Sequence, residues 1–89
     1  GWDDVGSWLA VGRIKKNDDN SNVINGNVVA VNTRGCVIEG GEKLIATVGL
    51  RDIVVVDTKD ATLITTKENA GEIKQVLAKL REERKNEYL

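Results

Sequence analysis

The sequence predicts a mainly β chain, a short solenoid of stacked strands, followed by one C-terminal α-helix. Three observations carry this. From Val23 to Thr65 the chain is a series of short β-branched runs broken by Gly, Asn and Asp, which suits strands on pleated surfaces. Residues 27–38 and 52–63 match in kind at nearly every position, at an offset of 25 residues. Internal repetition of strand–turn units signals coils that each bury a face on the next. Beyond Thr65 the apolar period changes, and Ile73, Val76, Leu77 and Leu80 line one face of a helix.

The elements follow in order. Gly1-Trp2-Asp3-Asp4-Val5-Gly6-Ser7-Trp8 places two indoles and two carboxylates within eight residues. Termini are usually frayed and polar, whereas indoles want burial with a partner for the N–H. We therefore expect a piece of a longer protein, entered in the middle of a site, with residues 1–16 the end of a preceding domain. Residues 17–22 are polar and turn-rich. Asp18, Asn20 and Asn22 alternate like the first ligands of a calcium loop, but Val23 and Val29 stand where its glycine and glutamate belong. A solvated linker is expected there.

The β region then covers 23–66. On the 25-residue offset, Asn32-Thr33 and Asp57-Thr58 are equivalent corners, Cys36 aligns with Ala61 as a small core residue, and 40–43 add a turn before a strand over 43–48. A β-sandwich or a twisted two-layer sheet would show similar apolar runs. A helix over 67–89 is expected, with Thr65 as N-cap and Glu68 completing a capping box. Gly71 costs that helix about 1 kcal/mol relative to Ala. Past Leu80 it is charged all round, with Lys79–Glu83 and Glu82–Lys85 as candidate pairs. That end reads as a solvated tail; docking on a partner subunit is the alternative.

Composition excludes several functions. The chain has 89 residues, no histidine and one cysteine, so neither a His/Cys zinc site nor a Ser-His-Asp or Cys-His catalytic pair can be assembled from it. A formal charge of −1 gives no footprint for nucleic acid. No apolar run approaches the length of a membrane span. The lone Cys36 excludes an internal disulfide and fits a reducing, cytoplasmic setting.

The opening Trp2-Asp3-Asp4-Val5-Gly6-Ser7 resembles the W-x-D-x-G-[ST] signature of sugar-nucleotide pyrophosphorylases. Its extension to Trp8 is similar, more narrowly, to bacterial mannose-1-phosphate guanylyltransferases. So is the block 46–58, Ala-Thr-Val-Gly-Leu-Arg-Asp-Ile-Val-Val-Val-Asp-Thr, followed by Lys59-Asp60-Ala61-Thr62-Leu63-Ile64 and a final helix. The resemblance covers nearly the whole chain, most weakly over 12–27.

That resemblance implies a left-handed parallel β-helix and a parent enzyme that joins GTP and mannose 1-phosphate to give GDP-mannose and pyrophosphate. It also implies Mg2+, with Asp4 as one metal ligand and the partner aspartate upstream. Gly6 would let backbone approach the sugar phosphate, Ser7 would donate a hydrogen bond, and Trp2 and Trp8 would pack the site floor against the catalytic domain. Family habit adds a homodimer through the C-terminal region, with the helix capping one end of the solenoid. No glycine-rich nucleotide loop is present in these residues, so the fragment alone is expected to be inactive, with an architectural role. Two other readings remain at this stage: a pyrophosphorylase for another sugar phosphate, and a non-catalytic assembly or regulatory solenoid.

Overall fold

The computed structural model describes Trp2 and residues 20–83. Six strands run in the order β1 (Val23–Asn25), β2 (Val28–Val31), β3 (Val37–Glu39), β4 (Ile45–Val48), β5 (Ile53–Asp57) and β6 (Thr62–Thr66). A 3-10 turn (Ala70–Glu72) leads into helix α1 (Ile73–Glu82). One sheet has the order β1-β3-β5-β6 and the other is β2-β4. Every pairing is parallel except β5–β6. A third side is marked only by the parallel bridge Arg34↔Arg51. The chain thus winds through three sides, as a solenoid does, and the parallel pairing excludes the sandwich alternative. The sheets do not close on one another.

The repeat is not the one expected. Val23 pairs with Val37 and Val37 with Val54, so successive coils are 14 and 17 residues long. The three extra residues lie between β3 and β4, where 40–44 replace the two-residue corner 26–27. At an offset of 25, β2 would fall on β5, yet these strands belong to different sheets. Asn32-Thr33 and Asp57-Thr58 are therefore not equivalent. Thr58 sits instead in the β5–β6 hairpin, its hydroxyl bonded with both the carbonyl and the N–H of Ala61 (3.0 and 3.2 Å).

The true period appears at the corners. Ser21, Gly35 and Asp52, spaced by 14 and 17, all have positive φ (61°, 65° and 54°), a left-handed bend that L-residues adopt sparingly. Gly26 (φ 95°) is required for a second reason: a Cβ there would lie 2.5 Å from the Gly40 carbonyl carbon. One position beyond the first set, each coil supplies an acceptor to the next. Asn22 Oδ1 accepts the Cys36 N–H (2.9 Å), and Cys36 Sγ accepts the Ile53 N–H (3.4 Å). Asn22 also donates to the Thr33 carbonyl (2.8 Å) and is 2% exposed. This corrects its reading as the end of a solvated linker: it satisfies a buried donor and a buried acceptor at a coil corner. Thr33 gives its single hydroxyl proton to the Val31 carbonyl, so Thr47 donates in the buried Thr33–Thr47 contact at 2.8 Å.

Two apolar cores lie back to back on the larger sheet. Inside the coil, Cys36, Ile38 and Val55 pack with Ile24, Val28, Ile45, Leu50 and Ile53. On the outer face, Val37, Val54, Val56 and Leu63 pack with Ile73 and Leu77 of α1 and with Trp2. The alternation along β5 is the two-residue period of a strand. The helix therefore covers a sheet face; it does not cap an end of the solenoid.

Its start also differs from expectation. Thr65 belongs to β6, no side chain caps α1, and the helix begins at Ile73 rather than at 67. Register with Val54 holds Thr65 in the sheet, and the Thr66 hydroxyl instead accepts the Asn69 N–H (3.0 Å) at the turn. Val76, placed in the apolar stripe by spacing, is 39% exposed.

The corner bonds make a prediction. Asn22→Ala leaves a buried carbonyl and a buried N–H unpaired and should lower unfolding stability by about 3 kcal/mol in urea denaturation. Asn27→Ala, which loses only an exposed bond to the Glu42 carbonyl, should cost less than about 1 kcal/mol. Equal costs would contradict this assignment of the buried network.

Candidate functional site

Asp4, Gly6 and Ser7, the residues singled out for metal and substrate, lie outside the described residues, as do Asp3 and Trp8. The described part of the opening motif is Trp2, 7% exposed. It sits on the outer face of the larger sheet, among Val37, Val54, Val56 and Leu63 and against Ile73 and Leu77. The expectation that it packs against the catalytic domain is corrected in part: the β-helix and its helix supply this apolar seat. Its Nε1 is buried with no acceptor among the described residues.

No group of three or more His, Cys, Asp or Glu able to hold a metal occurs among the described residues. Arg34 and Arg51 stack across one bridge and are exposed, beside a shallow polar cleft with Asn20, Ser21 and Asp52. This is a solvated face.

A larger cleft of about 390 Å3 opens where the coil ends. Because β6 turns back antiparallel to extend the larger sheet, no strand lies beyond β4 among the described residues. Ile45, Leu50, Ile53 and Val55 line the cleft with Leu44 and Ile64, which are 57% and 67% exposed. Val29, Val31 and Val48 are likewise exposed on the outer face of β2–β4. At the cleft rim Asp57 accepts a hydrogen bond from Thr62 (2.6 Å) and pairs with Lys43 Nζ (3.3 Å). The Thr62 hydroxyl chiefly, then Lys43, holds the Asp57 carboxyl below its ordinary value, against the opposing effect of burial. Nothing in the sequence pattern marked this rim, because Asp57 and Thr62 meet only through the hairpin register.

The comparisons with known proteins agree with one another. A family profile described as the MannoseP isomerase/GMP-like beta-helix domain matches residues 26–80. The chain belongs to the mannose-1-phosphate guanylyltransferase family. Among relatives, it is 42% identical over 87 residues to the alginate biosynthesis protein AlgA of Pseudomonas putida. It is 36% identical over 87 residues to the mannose-1-phosphate guanylyltransferase of Escherichia coli. Each alignment takes in 98% of this chain but 18% of the relative. A solved structure from Thermus thermophilus, described as a mannose-1-phosphate geranyltransferase, superposes with a TM-score of 0.72 at 34% identity, covering 88% of this chain and 24% of that one. The chain thus spans about a fifth of the length of these family members, and the matched profile takes in β2 to β6 and α1 as far as Leu80.

A lowered carboxyl pKa in the folded state means that Asp57 adds stability above its unfolded pKa and loses that contribution as pH falls through the folded one. NMR titration should place Asp57 below its ordinary value, with Thr62→Val and Lys43→Met each raising its midpoint. An unmoved midpoint in Thr62→Val would contradict the assigned cause.

Proposed function

We propose that this chain is the C-terminal portion of a parent enzyme that transfers a guanylyl group from GTP to mannose 1-phosphate, releasing pyrophosphate. The observation that carries this reading is the family match over the β-helix together with the intact Trp2-Asp3-Asp4-Val5-Gly6-Ser7 motif ahead of it. In that reading the coil is left-handed. Asp4 is a metal ligand, and Gly6 and Ser7 contact the sugar phosphate. Magnesium, when bound, neutralises charge on the phosphates, the dominant need of such a transfer. Asp4 supplies one carboxylate and its partners come from the rest of the parent.

The 89 residues alone are inactive on this reading, because no nucleotide loop is among them. Their role is architectural, and they carry subunit association in a homodimer. The uncovered apolar residues of β2–β4 and the open cleft support that role, since open solenoid ends need covering. Among the described residues no helix is long and apolar enough to cross a membrane. We place the parent in the cytoplasm, the compartment that the single cysteine suits.

Pyrophosphate release by the full-length parent tests the reading. With Mg2+, GTP and mannose 1-phosphate should turn over in preference to ATP, UTP or glucose 1-phosphate. Asp4→Asn should lower kcat by about 100-fold or more. Turnover that survives Asp4→Asn would move Asp4 to a structural role, and preference for another substrate pair would reassign the enzyme.

A further inference from the structure

Strand β6 is the last in the larger sheet, so one of its edges faces no strand among the described residues. The hairpin register decides which groups lie on that edge. At the two ends of the β5–β6 ladder, the Thr58 N–H donates to the Ala61 carbonyl and the Lys67 N–H to the Asp52 carbonyl (both 2.8 Å). Hydrogen-bonded pairs alternate along an antiparallel ladder. Leu63 and Thr65 therefore bond to β5, while the backbone groups of Thr62, Ile64 and Thr66 point away from it. The Thr66 carbonyl is taken by the Asn69 N–H and the Thr65 hydroxyl (both 3.2 Å), which leaves the Thr66 N–H on the edge. Sheet edges are commonly blunted by charge, proline or a bulge. Residues 62–66 have no charge and no proline, and they pair one for one with β5. The flanks Lys59-Asp60 and Lys67-Glu68 are each neutral overall. Ile64, opposite Val55 on the cleft side of the sheet, is 67% exposed.

We propose that β6 pairs antiparallel with β6 of a second copy of this chain, about a two-fold axis at Ile64. The two larger sheets then join edge to edge into one. An antiparallel edge is its own complement across such an axis, which closes the assembly at two copies. In this register Ile64 faces Ile64 of the second copy, and the Thr66 N–H of each copy meets the Thr62 carbonyl of the other. The two Ile64 side chains cover one another on the cleft side. The neutral flanks bring no excess of one charge to either end of the shared ladder. This rests on the homodimer proposed above and names the strand that forms it. A five-residue edge is smaller than the roughly 800 Å2 per partner of a stable interface, so the test belongs in the full-length parent.

The experiment measures the dimer dissociation constant of that parent by sedimentation equilibrium, in wild type, Ile64→Lys and Val48→Lys. Both positions are exposed, so both variants should keep the wild-type circular dichroism and melting temperature. Ile64→Lys sets like charges face to face on the axis and removes the apolar contact, and it should weaken dimerisation by about tenfold or more. Val48→Lys, on the outer face of β2–β4, should stay within about twofold of wild type. Directly opposed residues of a hydrogen-bonded pair have Cα atoms about 5.5 Å apart, within disulfide reach. Mild oxidation of Ile64→Cys should therefore give a Cys–Cys peptide joining position 64 of two chains, read by mass spectrometry. A wild-type dimer that Ile64→Lys leaves intact, with no such cross-link, would overturn the proposal. So would weakening by Val48→Lys alone, which would give the interface to the β2–β4 face. A wild-type parent that stays monomeric would overturn the homodimer beneath it. Amides of Thr62 and Ile64 protected from exchange in that monomer would assign the edge to a strand of the parent's own.

Discussion

The structure depends on one constraint: the central strands of the larger sheet, β3 and β5, are buried on both faces and so need two covers. Strand β5 reads Ile-Val-Val-Val and carries no polar residue before Asp57. Such a run belongs to a strand covered on both sides. Winding the chain into coils covers the inner face, where Ile38 and Val55 meet residues from the other two sides. Among the described residues the outer face has no coil to meet. Trp2, from one end of the chain, and α1, from the other, cover it together. Fully burying side chains of this size contributes about 1.5–3 kcal/mol each, so neither cover is dispensable.

Much of this was legible in the sequence, and the rest was hidden for physical reasons. The β-branched runs and most of the apolar stripe of α1 follow from composition and period, whereas Cys36 is buried as expected although the 25-residue alignment with Ala61 that suggested it does not hold. The coil length did not follow from either. Valine fills most of both β2 and β5, so a match by residue kind cannot tell a strand with one covered face from one with two. The informative positions were the corners, where Ser21, Gly35 and Asp52 share a left-handed bend despite sharing no chemistry. Asn22 misleads for the opposite reason: its amide looks like a linker residue and is in fact the acceptor and donor of a buried corner. Thr65 and Glu68 have the spacing of a capping box, but pairing with β5 overrides that local preference.

The candidate site divides in the same way. Its motif could be read from the first eight residues alone, because the spacing of Trp, Asp, Gly and Ser is distinctive. The seat of Trp2 could not, since Val37, Val54, Leu63 and Leu77 come together only through the fold. Trp2, the described residue of that motif, lies in one hydrophobic core with the larger sheet and α1. The open end of the coil remains an uncovered apolar surface, and it lies on the other side of the sheet from that core.

The most direct test of this account uses the fluorescence of Trp2 in the 89-residue chain carrying Trp8→Phe, which leaves one indole. The account predicts blue-shifted emission with little quenching by acrylamide in the folded chain, moving to the red in Leu77→Asp. Emission at the wavelength of a solvated indole in a folded chain, with free access to acrylamide, would contradict it.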